Sequence, residues 1–173
     1  MDGTGTTGAV GNDGVVGNDG VVGKDRMVGT DSAVLVGTGR VHEYRHVVRY
    51  FECDQQGVVF NMWYLGYFDE ALGAFLGAGG TSYSRLIDAG YDVQLVHSDI
   101  DWAGPLRWGD EAVVAVRLVR VGTTSFTLAF DVSVGGRAVA TGQTVYVAIR
   151  TDGSGKVAIP SALAEALGAP GGR

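Results

Sequence analysis

Apolar positions along this chain change their period as the sequence runs. Val41–Glu52 is rich in Val, Tyr, Arg and Phe, holds no Gly or Pro, and predicts a strand. Asp54-Gln55-Gln56-Gly57 then reads as a turn, because aspartate can bond its own downstream backbone and glycine can take a positive φ. Beyond the turn the spacing becomes helical. Leu65, Phe68, Leu72, Phe75 and Leu76 recur on one face, and Tyr64, Tyr67 and Ala71 widen the stripe. Asn61 is placed to cap that helix, and the glycines from Gly77 to Gly80 end it. A stripe this broad suits a helix clasped by a sheet. Tyr83–Ala89 predicts a short second helix that stops at Gly90.

After Gly90 the pattern alternates or runs apolar. Asp92–Trp102, Ala112–Val121, Ser125–Val134 and Ala138–Arg150 predict four consecutive strands in a meander. Gly104-Pro105, Gly109-Asp110, Gly122-Thr123 and the hairpin signal Gly135-Gly136 separate them. Ser161 then caps a last short helix through Leu167. The order predicts an α+β fold, with one long helix packed on an antiparallel sheet.

Composition divides the chain. Residues 1–40 hold 11 of the 29 glycines and repeat a hexad: Val10-Gly11-Asn12-Asp13-Gly14-Val15, Val16-Gly17-Asn18-Asp19-Gly20-Val21, and two looser copies. Hexads of this kind resemble β-helix rungs, but so few cannot enclose a core. So much glycine predicts a low-complexity, disordered tail over 1–40. The working domain is expected over 41–160, and 161–173 should be a short helix and a loose end. At 46% hydrophobic the chain can build a core without disulfides, which its single cysteine could not form within it. A net charge of −6 argues against duplex nucleic acid or anionic membrane as partner. No apolar run is long enough to span a bilayer. Met1-Asp2-Gly3-Thr4 has neither a basic start nor an apolar stretch, so a cytoplasmic location is expected.

Candidate chemistry narrows quickly. His42 and His46 share a face of the first strand but stand about 13 Å apart at the usual rise, too far for one metal. No metal and no cofactor are expected. Cys53 reads as a small apolar residue at a strand end. Glycine-rich phosphate and dinucleotide loops are absent. Asp54 remains, a carboxylate just before a helix start. Free backbone N–H groups and the positive end of the helix dipole can hold a developing oxyanion there, while the carboxylate attacks or activates water. An aspartate opening a turn can equally serve only the turn.

The run Val48-Arg49-Tyr50-Phe51-Glu52-Cys53-Asp54-Gln55-Gln56-Gly57-Val58-Val59-Phe60-Asn61-Met62-Trp63-Tyr64-Leu65-Gly66-Tyr67-Phe68 resembles the opening motif of the hotdog-fold acyl-CoA thioesterases, 4-hydroxybenzoyl-CoA thioesterase-like branch, of the form R-Y-x-E-x-D-x-x-G-V-V-Y-x-x-x-Y-L-x-Y-F. Ile100–Asp110 and Thr124-Ser125-Phe126-Thr127 resemble later segments of that family. The resemblance implies a five-stranded antiparallel sheet wrapped around one long helix. It implies hydrolysis of an acyl-CoA thioester, or of an acyl-carrier-protein one. Asp54 would be the catalytic carboxylate, nucleophile or general base. The N–H of Asn61 would polarise the carbonyl, Gly57 would allow the close turn, and Tyr50 would shape the acyl pocket or orient the carboxylate. Val58, Val59, Phe60, Trp63 and Tyr64 would line the acyl site, and Arg107, with Arg117, Arg120, Arg137 and Arg150 as further candidates, would meet the coenzyme's phosphates. Some relatives carry histidine at the position of Asn61, so the resemblance carries over the backbone role there and not a shared side-chain role. Family members are dimers or tetramers with sites at subunit interfaces, and a homodimer or homotetramer is expected. The apolar runs Ala112–Val121 and Val145–Ile149 fit such burial. Two other readings stand beside the thioesterase: a hotdog 3-hydroxyacyl-thioester dehydratase and a non-catalytic acyl-CoA-binding module. The first wants a histidine at the helix start, where none lies between His46 and His97, and Asp54 weighs against the second.

Overall fold

The computed structural model describes residues 35–36 and 39–169. The hexads, and the tail expected over 1–40, lie almost wholly outside them. In chain order the elements are β1 (Leu35–Val36), β2 (Val41–Val47), a single 3-10 turn (Tyr50–Glu52), α1 (Trp63–Ala78), α2 (Tyr83–Asp88), β3 (Tyr91–Trp102), β4 (Glu111–Val121), β5 (Ser125–Val134), β6 (Arg137–Arg150) and α3 (Ser161–Leu167).

The sheet is antiparallel throughout. β1 and β2 both pair with β4, Leu35 opposite Val121 and Val41 opposite Arg117, so they share one edge lane. The remaining lanes run β4, β5, β6, β3. Five lanes therefore wrap one long helix, a hotdog fold. The expected four-strand meander is corrected: β4, β5 and β6 are hairpin neighbours, but β3 pairs with β6, Tyr91 opposite Arg150, and not with β4. The chain crosses the end of the sheet through residues 103–110 to reach β4. The first strand also ends sooner than expected. Val48 still accepts and donates backbone bonds with Gly109 and Asp110, but Tyr50–Glu52 coils.

α1 buries Tyr64, Tyr67, Phe68, Ala71, Leu72, Phe75 and Leu76, the stripe that its helical period predicts. Phe68 stacks on Phe130 of β5 with ring centroids 4.2 Å apart. Gly142 of β6 makes this possible, since a Cβ there would come within 2.7 Å of both the Phe68 ring and the Asp99 carbonyl oxygen. Two capping expectations are corrected. Met62, not Asn61, is the N-cap of α1, and no side chain caps it. Pro160 precedes α3, with Ser161 already its first residue, because proline's fixed φ suits a helix entry.

Candidate active site

Asp54 stands at the base of a small hairpin. Its N–H donates to the Val58 carbonyl at 2.9 Å, its carbonyl accepts from the Gly57 N–H at 2.9 Å, and Cys53 bridges to Val59. The Gln56 N–H donates to Asp54 Oδ1 at 2.8 Å, the self-bonding turn expected of aspartate. Gly57 closes the turn at φ +73°, which other residues rarely adopt. The hairpin is pinned from outside: the Val59 N–H donates to the carbonyl of Leu106, a fully buried residue of the 103–110 crossover.

The returning arm of the hairpin runs into α1. The Trp63 N–H bonds the Phe60 carbonyl at 2.9 Å and the Tyr64 N–H reaches the Asn61 carbonyl at 3.4 Å. The amides of Asn61 and Met62 donate to no group among the described residues. These are the orphan donors of a helix start, where the macrodipole also favours negative charge. Asn61 and Met62 also border a groove of about 300 Å³, with Leu65, Ser98, Ile100 and Trp102. A larger recess of about 460 Å³ lies at the other end of α1, beside Gly80, Thr81, Arg85 and Glu165, and holds no residue of the expected site.

The other expected residues separate into two groups. Val59 and Tyr64 are core, and the Tyr64 ring meets the Trp102 ring edge-on at 6.0 Å. Burial pushes the Tyr64 hydroxyl above its ordinary pKa. Val58 and Trp63 are half-buried, Phe60 is exposed, and Trp63 packs edge-on against Phe51. Tyr50 is 75% exposed, with its ring against Trp108 at 5.6 Å, and none of its described contacts reaches Asp54. Arg107 is exposed, and its Nη1 donates to the Gly57 carbonyl at 3.5 Å, so it leans on the turn itself. Exposed aromatic side chains thus ring the hairpin. No cluster of metal-ligating side chains occurs among the described residues. No described helix is long and apolar enough to cross a membrane.

Sequence reasoning passed over Glu52. The residue is 2% exposed, and its carboxylate accepts from Tyr67 Oη at 2.9 Å, from the Arg49 N–H at 2.7 Å and from His46 Nε2 at 2.9 Å. Burial alone would raise its pKa, but the Arg49 amide, His46 and Tyr67 outweigh that, and the carboxyl is held below its ordinary value. Burial and the Glu52 bond push the Tyr67 hydroxyl well up. The available signal was a histidine on the core face of β2 six residues before an acid in an apolar run.

A family model, described as the Thioesterase-like superfamily, matches residues 48–167. A protein of Aquifex aeolicus named "Putative esterase" is 34% identical over 125 residues, 72% of this chain and 95% of that protein. The 1,4-dihydroxy-2-naphthoyl-CoA hydrolase of Synechococcus elongatus is 26% identical over 128 residues, 73% of this chain and 94% of its own. Among solved structures, a hypothetical protein from Aquifex aeolicus superimposes with a TM-score of 0.70 at 32% identity, covering 73% of this chain and 98% of that one.

Proposed function

The chain belongs to the thioesterase-like superfamily, and from that premise we propose that it hydrolyses an acyl-CoA thioester to the free acid and CoA. Asp54 is the catalytic carboxylate. Either it attacks the thioester carbonyl carbon to form a mixed anhydride that water then hydrolyses, or it takes a proton from a water that attacks that carbon; in both routes the C–S bond breaks and the thiolate leaves with a proton supplied by that water. The amides of Asn61 and Met62 receive the charge that develops on the carbonyl oxygen. The acyl group enters the apolar groove beside them. Arg107, exposed next to the turn, meets the phosphates of the coenzyme despite the acidic chain. We further propose that the enzyme is a homodimer.

One observation carries this reading. A single hairpin presents a half-buried aspartate, fixed by the Gln56 amide, and leads within a few residues to amides before the helix that have no partner among the described residues. Neither feature is required by the core, which is built by the opposite faces of α1 and the sheet. The name of the cyanobacterial relative extends the substrate range worth testing to aromatic acyl groups.

The test is thiol release from short, long and aromatic acyl-CoAs, and from an acyl-carrier protein, with Asp54→Ala beside the wild type. Turnover on at least one CoA thioester is expected, and the variant should lose it by about 1,000-fold or more while staying folded. Retained turnover in the variant would remove Asp54 from the mechanism. Turnover confined to the carrier protein would change the donor.

A further inference from the structure

We propose that Glu52 is a positioning residue: held in the core by His46 and Tyr67, it fixes the Asp54 hairpin against the start of α1. The kinetic part of this proposal rests on the hydrolase reading above; the geometric part does not. Glu52 stands where both arms of the hairpin meet. Its carbonyl accepts from the Phe60 N–H at 2.9 Å, the last bond before Asn61, and Asp54 follows two residues later. Its side chain turns the other way, into the core. There it gathers donors from three elements: His46 of β2, the Arg49 N–H of the 3-10 turn, and Tyr67 of α1. The arm that carries Asp54 and the helix that follows the hairpin are therefore tied to one carboxylate.

A buried carboxylate is a costly way to stabilise a core, since apolar side chains of similar volume would serve at least as well. What it adds is direction. Its lone pairs accept only at set angles, so the 3-10 turn and α1 can meet in one arrangement. The tilted His46 and Tyr67 rings, 4.6 Å apart, pack on each other while both point to the same acid. The groups facing Glu52 are His46 and Tyr44 from β2, Arg49 at the start of the turn, and Tyr67 from α1.

Glu52→Gln keeps the shape and removes the charge; Tyr67→Phe keeps the charge and removes one donor. Each is assayed for acyl-CoA hydrolysis and for backbone hydrogen exchange. In folded Glu52→Gln, kcat should fall by about 10- to 100-fold with KM within about twofold, because the groups that meet the reacting carbonyl are misaligned rather than lost. Exchange at 54–60 should accelerate by about tenfold while β4, β5 and β6 keep their protection. Tyr67→Phe should move both readouts in the same direction by less. Unchanged exchange at 54–60, acceleration spread evenly over the sheet, or an unchanged kcat would each overturn the proposal in favour of a purely structural acid. If Glu52→Gln does not fold, Tyr67→Phe decides on the same criteria. If the wild type releases no thiol from any acyl-CoA, the hydrolase reading fails, and local exchange alone still accepts or rejects the positioning role.

Discussion

A carboxylate as deeply buried as Glu52 persists in the core only because its oxygens are filled. Filling them also makes the acid a source of pH-dependent stability. Its pKa is depressed in the folded protein, so the folded state binds its proton less readily than the unfolded chain does. The resulting stability is fully present above the ordinary carboxyl range and is lost as the pH falls through the lower, folded value. Glu52→Gln has no such proton to bind. The gap in melting temperature between wild type and Glu52→Gln should therefore be widest near neutral pH and close on acidification, in melts followed by circular dichroism from pH 7 to pH 3. A gap of constant width would mean that the carboxylate is not held in its charged form. Tyr67→Phe removes one bond to a charged group and should cost about 1–3 kcal/mol in denaturant unfolding. His46 is the histidine that a metal reading would have used, and it is spent on this acid.

Between α1 and the sheet the closest fit is Phe68 over Gly142. Ala at Gly142 would drive its Cβ into backbone on one side and an aromatic ring on the other, neither of which can swing away. Gly142→Ala should cost about 1–3 kcal/mol, read as a lower denaturant midpoint with an unchanged slope. Fit of this kind explains what the sequence made legible. The α1 stripe was readable because every buried residue obeys one local period, and the strands of β3 to β6 were readable because glycines punctuate them. What stayed hidden depends on distant partners. That β3 joins β6 rather than β4 follows from the crossover wrapping the hairpin end, where Leu106 is buried and pins Val59, and no local pattern carries that. Asp54 and its turn were visible from residue types alone. The clamp on Glu52 was not, since it joins residues from three elements. Asn61 looked like a cap because asparagine often is one, yet here Met62 is the N-cap and no side chain caps the helix.

The two edges of the sheet are protected differently, and the difference bears on how the whole molecule works. Along β2, Arg45 pairs with Glu43 at 3.0 Å and with Glu111 of β4 at 3.2 Å, so charge guards that edge. β3 is the longer edge, and only a register shift around Val96 interrupts its pairing with β6. Leu95, Val96 and Trp102 lie exposed on it, with Val96 at 54%. A long strand with free backbone groups and apolar side chains is a template for another strand, and a second copy of this chain is the occupant that a closed, two-fold pairing would supply. Ile100, Ser98 and Trp102 of the same strand also line the groove at Asn61. A copy docked on β3 would therefore border that groove, so assembly and turnover should fail together. Sedimentation of the wild type should give a dimer or a larger closed assembly. Val96→Lys should shift it toward monomer and lower thiol release in proportion, with the melting transition still cooperative. A fully active wild-type monomer would detach the groove from any subunit interface, and a dimer unmoved by Val96→Lys would relocate that interface away from β3.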